Sequence, residues 1–101
     1  MNTDKIYNIA LHAVAQIYGI SEDAVRTGRN PNAMYARHMM YYVLHEEYGF
    51  SYKLIGNLVG KSTSSVGHGV NKMRALIGGA TNANVEKKIK DIIHNEKDLL
   101  D

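Results

Sequence analysis

The sequence predicts an all-α protein, folded as a compact bundle of about six helices. Apolar residues recur at steps of three and four along the chain, which is the spacing of amphipathic helices. No segment alternates apolar and polar residues as a half-buried strand would. Of the 101 residues, 45% are hydrophobic and 22% are charged, an ordinary composition for a globular protein with one modest core. We therefore expect residues 1–101 to form a single helical domain.

Capping residues mark the predicted helices outside the middle of the chain. Thr3 or Asp4 can cap the first helix, and Ser21 can cap the second. Asn30 followed by Pro31 fits an N-cap with proline at the first position of the third helix. Together with the apolar spacing, these signals predict helices over residues 4–18, 22–27, 31–48 and about 83–99.

The middle of the chain, at about residues 51–78, has the pattern of a helix-turn-helix. Ser51 can cap a short helix, and Gly60 marks the turn that follows it. Ser62 can cap a longer helix that runs to about Ile77. Apolar residues at steps of four and three give this longer helix one buried face: Val66, Val70, Met73 and Ile77.

The start of the longer helix suits contact with DNA. In a helix-turn-helix, the N-terminal residues of the second helix enter the major groove. Here they carry only short hydroxyl side chains: Ser62, Thr63, Ser64 and Ser65. One hydroxyl suffices as an N-cap, and the other three can bond to phosphates or base edges. His68 and Lys72 follow on the face away from the apolar residues, where they suit phosphate contacts or an ordinary solvated surface.

Basic residues are concentrated in the same part of the chain. The whole sequence has a net charge of +2, but seven basic residues stand against two acidic ones between Ala24 and Arg74. An excess of this kind is typical of polyanion binding. A solvated surface explains the charge alone equally well, so the charge supports the motif without proving it.

Two glycines, Gly67 and Gly69, lie inside the second helix of the motif. Each glycine in a helix interior costs about 1 kcal/mol relative to alanine, so the middle of this helix is expected to be soft. The two glycines serve either close packing or adjustment on DNA, and the sequence leaves both interpretations open.

Several runs of residues together resemble the C-terminal DNA-binding domain of the bacterial replication initiator DnaA. The matching runs are Tyr7–Ile9, Val14–Ile20, Ala36–Met40, Ser51–Gly56 and Gly60–His68. The resemblance covers about residues 5–95 and keeps the order of the helices and the lengths of the loops. It implies a free-standing domain that binds double-stranded DNA.

The resemblance also implies a role for each matching residue. Base or groove contacts are expected from Arg29, in the minor groove, and from Ser62, Thr63, Ser64 and Ser65. Phosphate contacts are implied for Arg37, Lys61, His68 and Lys72. We also expect phosphate contacts from Tyr52 and Lys53 in the preceding helix, which lie near the predicted DNA side. The family opens its recognition helix with Asp-His-Thr-Thr-Val, where this chain has Ser62-Thr63-Ser64-Ser65-Val66. Because Ser62 and Thr63 replace the Asp and His that contact bases, we expect a different target sequence.

Other functional motifs are incomplete. Gly60-Lys61-Ser62 resembles the end of a P-loop, but Ile55 occupies the position of the first glycine and a helix is predicted before the loop. The histidines are never spaced four residues apart and the chain has no cysteine, so we expect no metal and no other cofactor. No serine, threonine or lysine is combined with a histidine or a carboxylate in the pattern of a catalytic nucleophile and its general base. We therefore expect neither nucleotide binding nor enzymatic activity.

These observations favour sequence-specific binding of double-stranded DNA, by a transcription regulator or a replication accessory protein. No apolar run approaches the roughly 20 residues that a membrane span needs. The N-terminus lacks the pattern of an export signal, and the absence of cysteine fits a reducing compartment, so we expect a cytoplasmic, nucleoid-associated protein. The alternative is a protein–protein interaction module that does not bind DNA; the sequence identifies no protein partner.

Overall fold

Six helices account for most of residues 2–100, the part of the chain that the computed structural model describes; side chains are described for residues 2–96. In chain order they are α1 (Thr3–Tyr18), α2 (Glu22–Thr27), α3 (Pro31–Tyr48), α4 (Tyr52–Val59), α5 (Thr63–Leu76) and α6 (Ala80–Leu100). No strand occurs in residues 2–100, and the all-α prediction is confirmed. None of these helices is long and apolar enough to cross a membrane.

Capping side chains determine where most of the helices begin. Four predicted caps are confirmed, each with a side-chain oxygen that accepts a hydrogen bond from the backbone N–H three residues later: Ser21, Asn30, Ser51 and Ser62. The predicted cap of α1 is wrong. Asn2, rather than Thr3 or Asp4, precedes the helix, and its Oδ1 accepts from the Lys5 N–H at 3.1 Å. Asp4 lies inside the first turn, where its charge complements the helix dipole.

The last helix begins earlier than predicted, at Ala80 rather than at about Ala83. The polar residues after Gly79 have the composition of a loop, but the turn that follows α5 is only residues 77–79. Asn82 donates from Nδ2 to the backbone oxygen of Leu76 at 3.1 Å. A side chain from the first turn of α6 thus gives the Leu76 carbonyl, at the end of α5, a second donor in addition to the N–H of Gly79. The polar residues therefore form a tight junction between two helices.

α3 lies at the centre of the fold and packs against each of the other five helices. All six helices contribute to the apolar core, and its fully buried side chains include Leu11, Val25, Met39, Tyr41, Ile55, Met73 and Ile89. No polar or charged residue is buried among those whose side chains are described, apart from tyrosine. Since α3 packs extensively on α5, the core itself fixes the position of the second motif helix.

The turn between α4 and α5 is closed by glycines. Gly60 ends α4 with φ 73°, a left-handed conformation that glycine adopts without steric cost. The N–H groups of Gly60 and Lys61 both donate to the carbonyl of Gly56, at 2.8 and 3.0 Å. A Cβ at Gly56 would lie 2.6 Å from the Lys61 oxygen, so only glycine allows this close turn. The predicted helix-turn-helix is therefore present, with α4 and α5 as its helices.

Gly67 and Gly69 serve close packing on the two sides of α5. A Cβ at Gly67 would lie 3.1 Å from Cε2 of Tyr52, which belongs to α4. A Cβ at Gly69 would lie 2.6 Å from Cδ2 of His38 and 3.0 Å from Cδ2 of Tyr41, both on α3. Of the two interpretations that the sequence left open, the structure favours packing, because an aromatic ring fills the space beside each glycine.

Candidate nucleic-acid interface

The first turn of α5 separates one hydroxyl from the three that follow it. Ser62 is the N-cap: its Oγ accepts from the Ser65 N–H at 3.1 Å and donates to the Ser65 Oγ at 3.0 Å. The hydroxyls of Thr63 and Ser64 are exposed and have no partner among the described residues. Ser65 accepts from Ser62 and keeps its own proton to donate. Ser62 is thus occupied by capping, whereas Thr63, Ser64 and Ser65 can bond to a ligand.

A cleft of about 220 Å³ lies between α3 and the start of α5. We call it the cationic cleft, and its lining residues are Arg37, His38, Tyr41, Lys61, Ser65 and His68. It brings together four residues for which the sequence predicted DNA contacts, although they lie on two helices and a turn. No acidic residue lines it. A cleft lined by one sign of charge concentrates the opposite charge, so this one is suited to phosphate.

His38 also lines the cationic cleft, although the sequence did not predict a DNA contact for it. Burial lowers the pKa of its imidazole, and the positive charges of Lys72, Arg37 and His68 lower it further. The imidazole is therefore mostly neutral near neutral pH and offers one N–H donor. Of these three charges, Arg37 precedes His38 on α3, whereas Lys72 and His68 lie on α5. The sequence does not show that α5 brings the last two beside His38.

Arg37 has a structural role in addition to the predicted phosphate contact. Its Nε donates to the carbonyl of Val25 at 2.8 Å, and its Nη2 donates to the carbonyl of Gly28. These carbonyls belong to the last turn of α2 and to the loop that precedes Arg29, where the helix leaves backbone oxygens unpaired. Nη1 has no partner among the described residues and remains able to donate to a phosphate. Arg37 thus ties α3 to the loop that carries Arg29.

Arg29 lies in the short loop between α2 and α3, exposed to solvent. The structure gives it no hydrogen bond and no ion pair among the described residues. A Cβ at the neighbouring Gly28 would lie 2.6 Å from the Ala24 oxygen and 2.7 Å from the Ala33 Cβ. The loop is therefore held against two helices while its arginine remains available to a ligand, as the predicted minor-groove contact requires.

Ion pairs divide the seven basic residues of the central segment into two groups. Arg26 pairs with Asp23, and Arg74 pairs with Glu46. The other five have no carboxylate partner among the described residues: Arg29, Arg37, Lys53, Lys61 and Lys72. These five are the basic residues for which the sequence predicted DNA contacts. The charges of these five residues are therefore not compensated by an ion pair among the described residues.

Tyr52 packs within the motif, a role that the sequence did not predict. Its ring is half-buried, faces Gly67 and lies 4.5 Å from the ring of His45, measured between centroids. The hydrogen bond to Glu46 raises the pKa of Arg74 most, and the nearby Tyr52 side chain raises it further. The phosphate contact predicted for Tyr52 remains a prediction.

Among the described residues, no group of three or more histidine or carboxylate side chains could hold a metal ion.

A family model of known proteins matches most of the chain, including the helix-turn-helix. Residues 7–73, from the first turns of α1 to the last turn of α5, match the family model described as the bacterial DnaA protein helix-turn-helix. No curated protein and no solved structure matches the chain. The family is a DNA-binding domain and not a catalytic one. The match covers well over half of the 101 residues, and the chain belongs to the bacterial DnaA helix-turn-helix family.

Proposed function

We propose that residues 1–101 act as a single domain that binds double-stranded DNA in a sequence-specific manner. In this proposal α5 enters the major groove and Arg29 enters the adjacent minor groove. The observation that carries it is the division of charge: the five basic residues without a carboxylate partner are those at the predicted site. Membership of the family supports DNA binding, and the free hydroxyls at the start of α5 support sequence specificity.

The start of α5 offers two kinds of donor to DNA. The backbone N–H groups of Thr63 and Ser64 have no partner among the described residues, because the Ser62 cap takes only the N–H of Ser65. Helix N-termini of this kind bind phosphate well. The hydroxyls of Thr63, Ser64 and Ser65 are short and rotate freely, so they can contact either base edges or phosphates. We assign specificity to these three hydroxyls and to Arg29, and phosphate binding to the cationic cleft, Tyr52, Lys53 and Lys72.

A protein with this interface and no catalytic group would act by occupying DNA. We propose that it works in the cytoplasm, associated with the nucleoid, as a transcription regulator or as an accessory protein of replication. We assign no ATP-driven melting of an origin to it, because Gly60 follows helix α4 rather than the strand that a P-loop requires.

Selection of bound duplexes from a random DNA library tests this function. We expect enrichment of a short sequence, and we expect its affinity to fall steeply and log-linearly as salt rises. The matched control is a variant in which Thr63, Ser64 and Ser65 are all alanine, which keeps the Ser62 side chain as the cap. This variant should retain binding but lose the preference for the selected sequence. Failure of the wild-type protein to retain any duplex would contradict the proposal and favour a protein-interaction module.

A further inference from the structure

The large hydrophobic side chains that are exposed among residues 2–96 lie together. Met34, Tyr35 and Leu76 are 39%, 49% and 40% exposed, and all three line one cleft between α3 and α5. The cleft has a volume of about 430 Å³, and we call it the apolar cleft. Single apolar residues are common on protein surfaces, whereas a cluster on one concave surface marks a contact site.

The apolar cleft lies between the two elements that the proposed function places in DNA grooves. Pro31, which follows Arg29 by two positions, lines it from α3, and Lys72 lines it from α5. His38 lines both the apolar and the cationic cleft, so the two clefts adjoin at this residue. When α5 lies in a major groove and Arg29 in the adjacent minor groove, one DNA strand separates the two grooves. That strand must cross the surface between α5 and Arg29, and both clefts lie on this part of the surface, between α3 and α5.

We propose that the deoxyribose faces of this strand fill the apolar cleft. Met34, Tyr35 and Leu76 would pack against the C–H faces of the sugars, while Lys72 meets an adjoining phosphate. The charges agree with this occupant, because no acidic residue lines either cleft. The inference rests on the proposed function and adds apolar contacts to it. Such contacts release no counterions, so their contribution to affinity does not depend on salt as that of the lysines does.

The test is a variant with Met34→Ala, Tyr35→Ala and Leu76→Ala, measured on the duplex recovered from the random library. Fluorescence anisotropy at several salt concentrations should give a Kd at least about tenfold higher, with the slope of log Kd against log salt unchanged. Gln16→Ala is the control, because Gln16 is an exposed and uncharged residue of α1. It should bind as the wild type does. Tyr35→Ala alone, at the most exposed of the three positions, should raise Kd about threefold. This single variant tests the inference if the triple variant does not fold.

Hydroxyl-radical footprinting provides a direct readout, because the radical attacks exposed deoxyriboses. The wild-type protein should protect consecutive sugars between its major-groove and minor-groove contacts, and the triple variant should leave them open to cleavage. Equal affinity and equal protection for the two proteins would overturn the inference while the proposed function stands. A loss of affinity accompanied by a smaller salt slope would also overturn it, since the three residues would then act by positioning cations. Absence of binding by the wild-type protein would overturn both proposals.

Discussion

The five basic residues without a carboxylate partner determine how strongly DNA affinity should depend on salt. They are Arg29, Arg37, Lys53, Lys61 and Lys72. Each positive charge placed against duplex DNA releases condensed counterions and contributes about 0.9 to the slope of log affinity against log salt. We count Arg29 in the minor groove together with the four phosphate contacts, so five charges give a slope of about −4.5. Between about 50 and 200 mM salt, Kd should therefore rise by about 500-fold.

Replacing Lys72 with alanine should remove one of these contacts. The slope should become about −3.6, and the rise in Kd over the same salt range should fall to about 150-fold. Fluorescence anisotropy with a labelled duplex measures both values, and thermal melting checks that the variant is folded. Because Lys72 is assigned to phosphate, the preferred DNA sequence should not change.

Two controls separate a local contact from the effect of net charge. Lys88→Ala removes the same charge by the same substitution from the exposed surface of α6, and Arg26→Ala removes a charge that Asp23 already compensates. Both variants should keep the wild-type slope. If Lys88→Ala reduced the slope as much as Lys72→Ala does, only net charge would matter, and the assignment of the five residues to the interface would be refuted.

Three further predictions concern the loop, the helix packing and the target sequence. Arg29→Ala should weaken binding to the selected duplex at least about tenfold without lowering the melting temperature, because Arg29 has no partner among the described residues. Unchanged affinity would contradict its role. Gly69→Ala should lower the free energy of unfolding in urea by about 1 kcal/mol, since the clash with His38 and Tyr41 outweighs the gain in helix propensity. Gly67→Ala, beside the half-buried Tyr52, is the control and should change the free energy of unfolding by less than about 0.5 kcal/mol. If Gly69→Ala were more stable than the wild type, the packing argument would be wrong. In a competition assay at near-physiological salt, the recognition box of the DnaA family should be preferred over scrambled DNA by no more than about tenfold, because Ser62 is engaged in its cap and Thr63 has no acceptor charge; a preference above about a hundredfold would overturn this.

The helices could be predicted from the sequence because their signals are local. Ser51 and Ser62 accept from N–H groups only three residues away, and Gly60 acts on its own backbone, so a short window contains the whole interaction. The start of α6 was predicted too late because its signal is not of this kind. The residues after Gly79 have the composition of a loop, and the Asn82 amide bonds to the end of another helix, α5.

The site was predictable in its residue types but not in how those residues are held. Arg37 donates to carbonyls nine and twelve positions away, and no periodic pattern indicates such bonds. The position of His38 in the cationic cleft depends on the packing of α3 against α5, which the sequence does not give. The pairing of Arg74 with Glu46 joins residues 28 positions apart, so the sequence could not separate Arg74 from the five unpaired basic residues. Contacts of this kind require the packed core.

The bonds from Arg37 to Val25 and Gly28 have a consequence for the length of any DNA site. They fasten the loop of Arg29 to α3, and α3 is packed on α5, so the two DNA-contacting elements belong to one rigid frame. An extra base pair between the two contacted stretches would move one relative to the other by about 3.4 Å and rotate it by about 35°. A rigid frame cannot follow that rotation. On the proposed interface, the binding site is therefore one short uninterrupted stretch with a fixed helical phase, without a spacer of variable length.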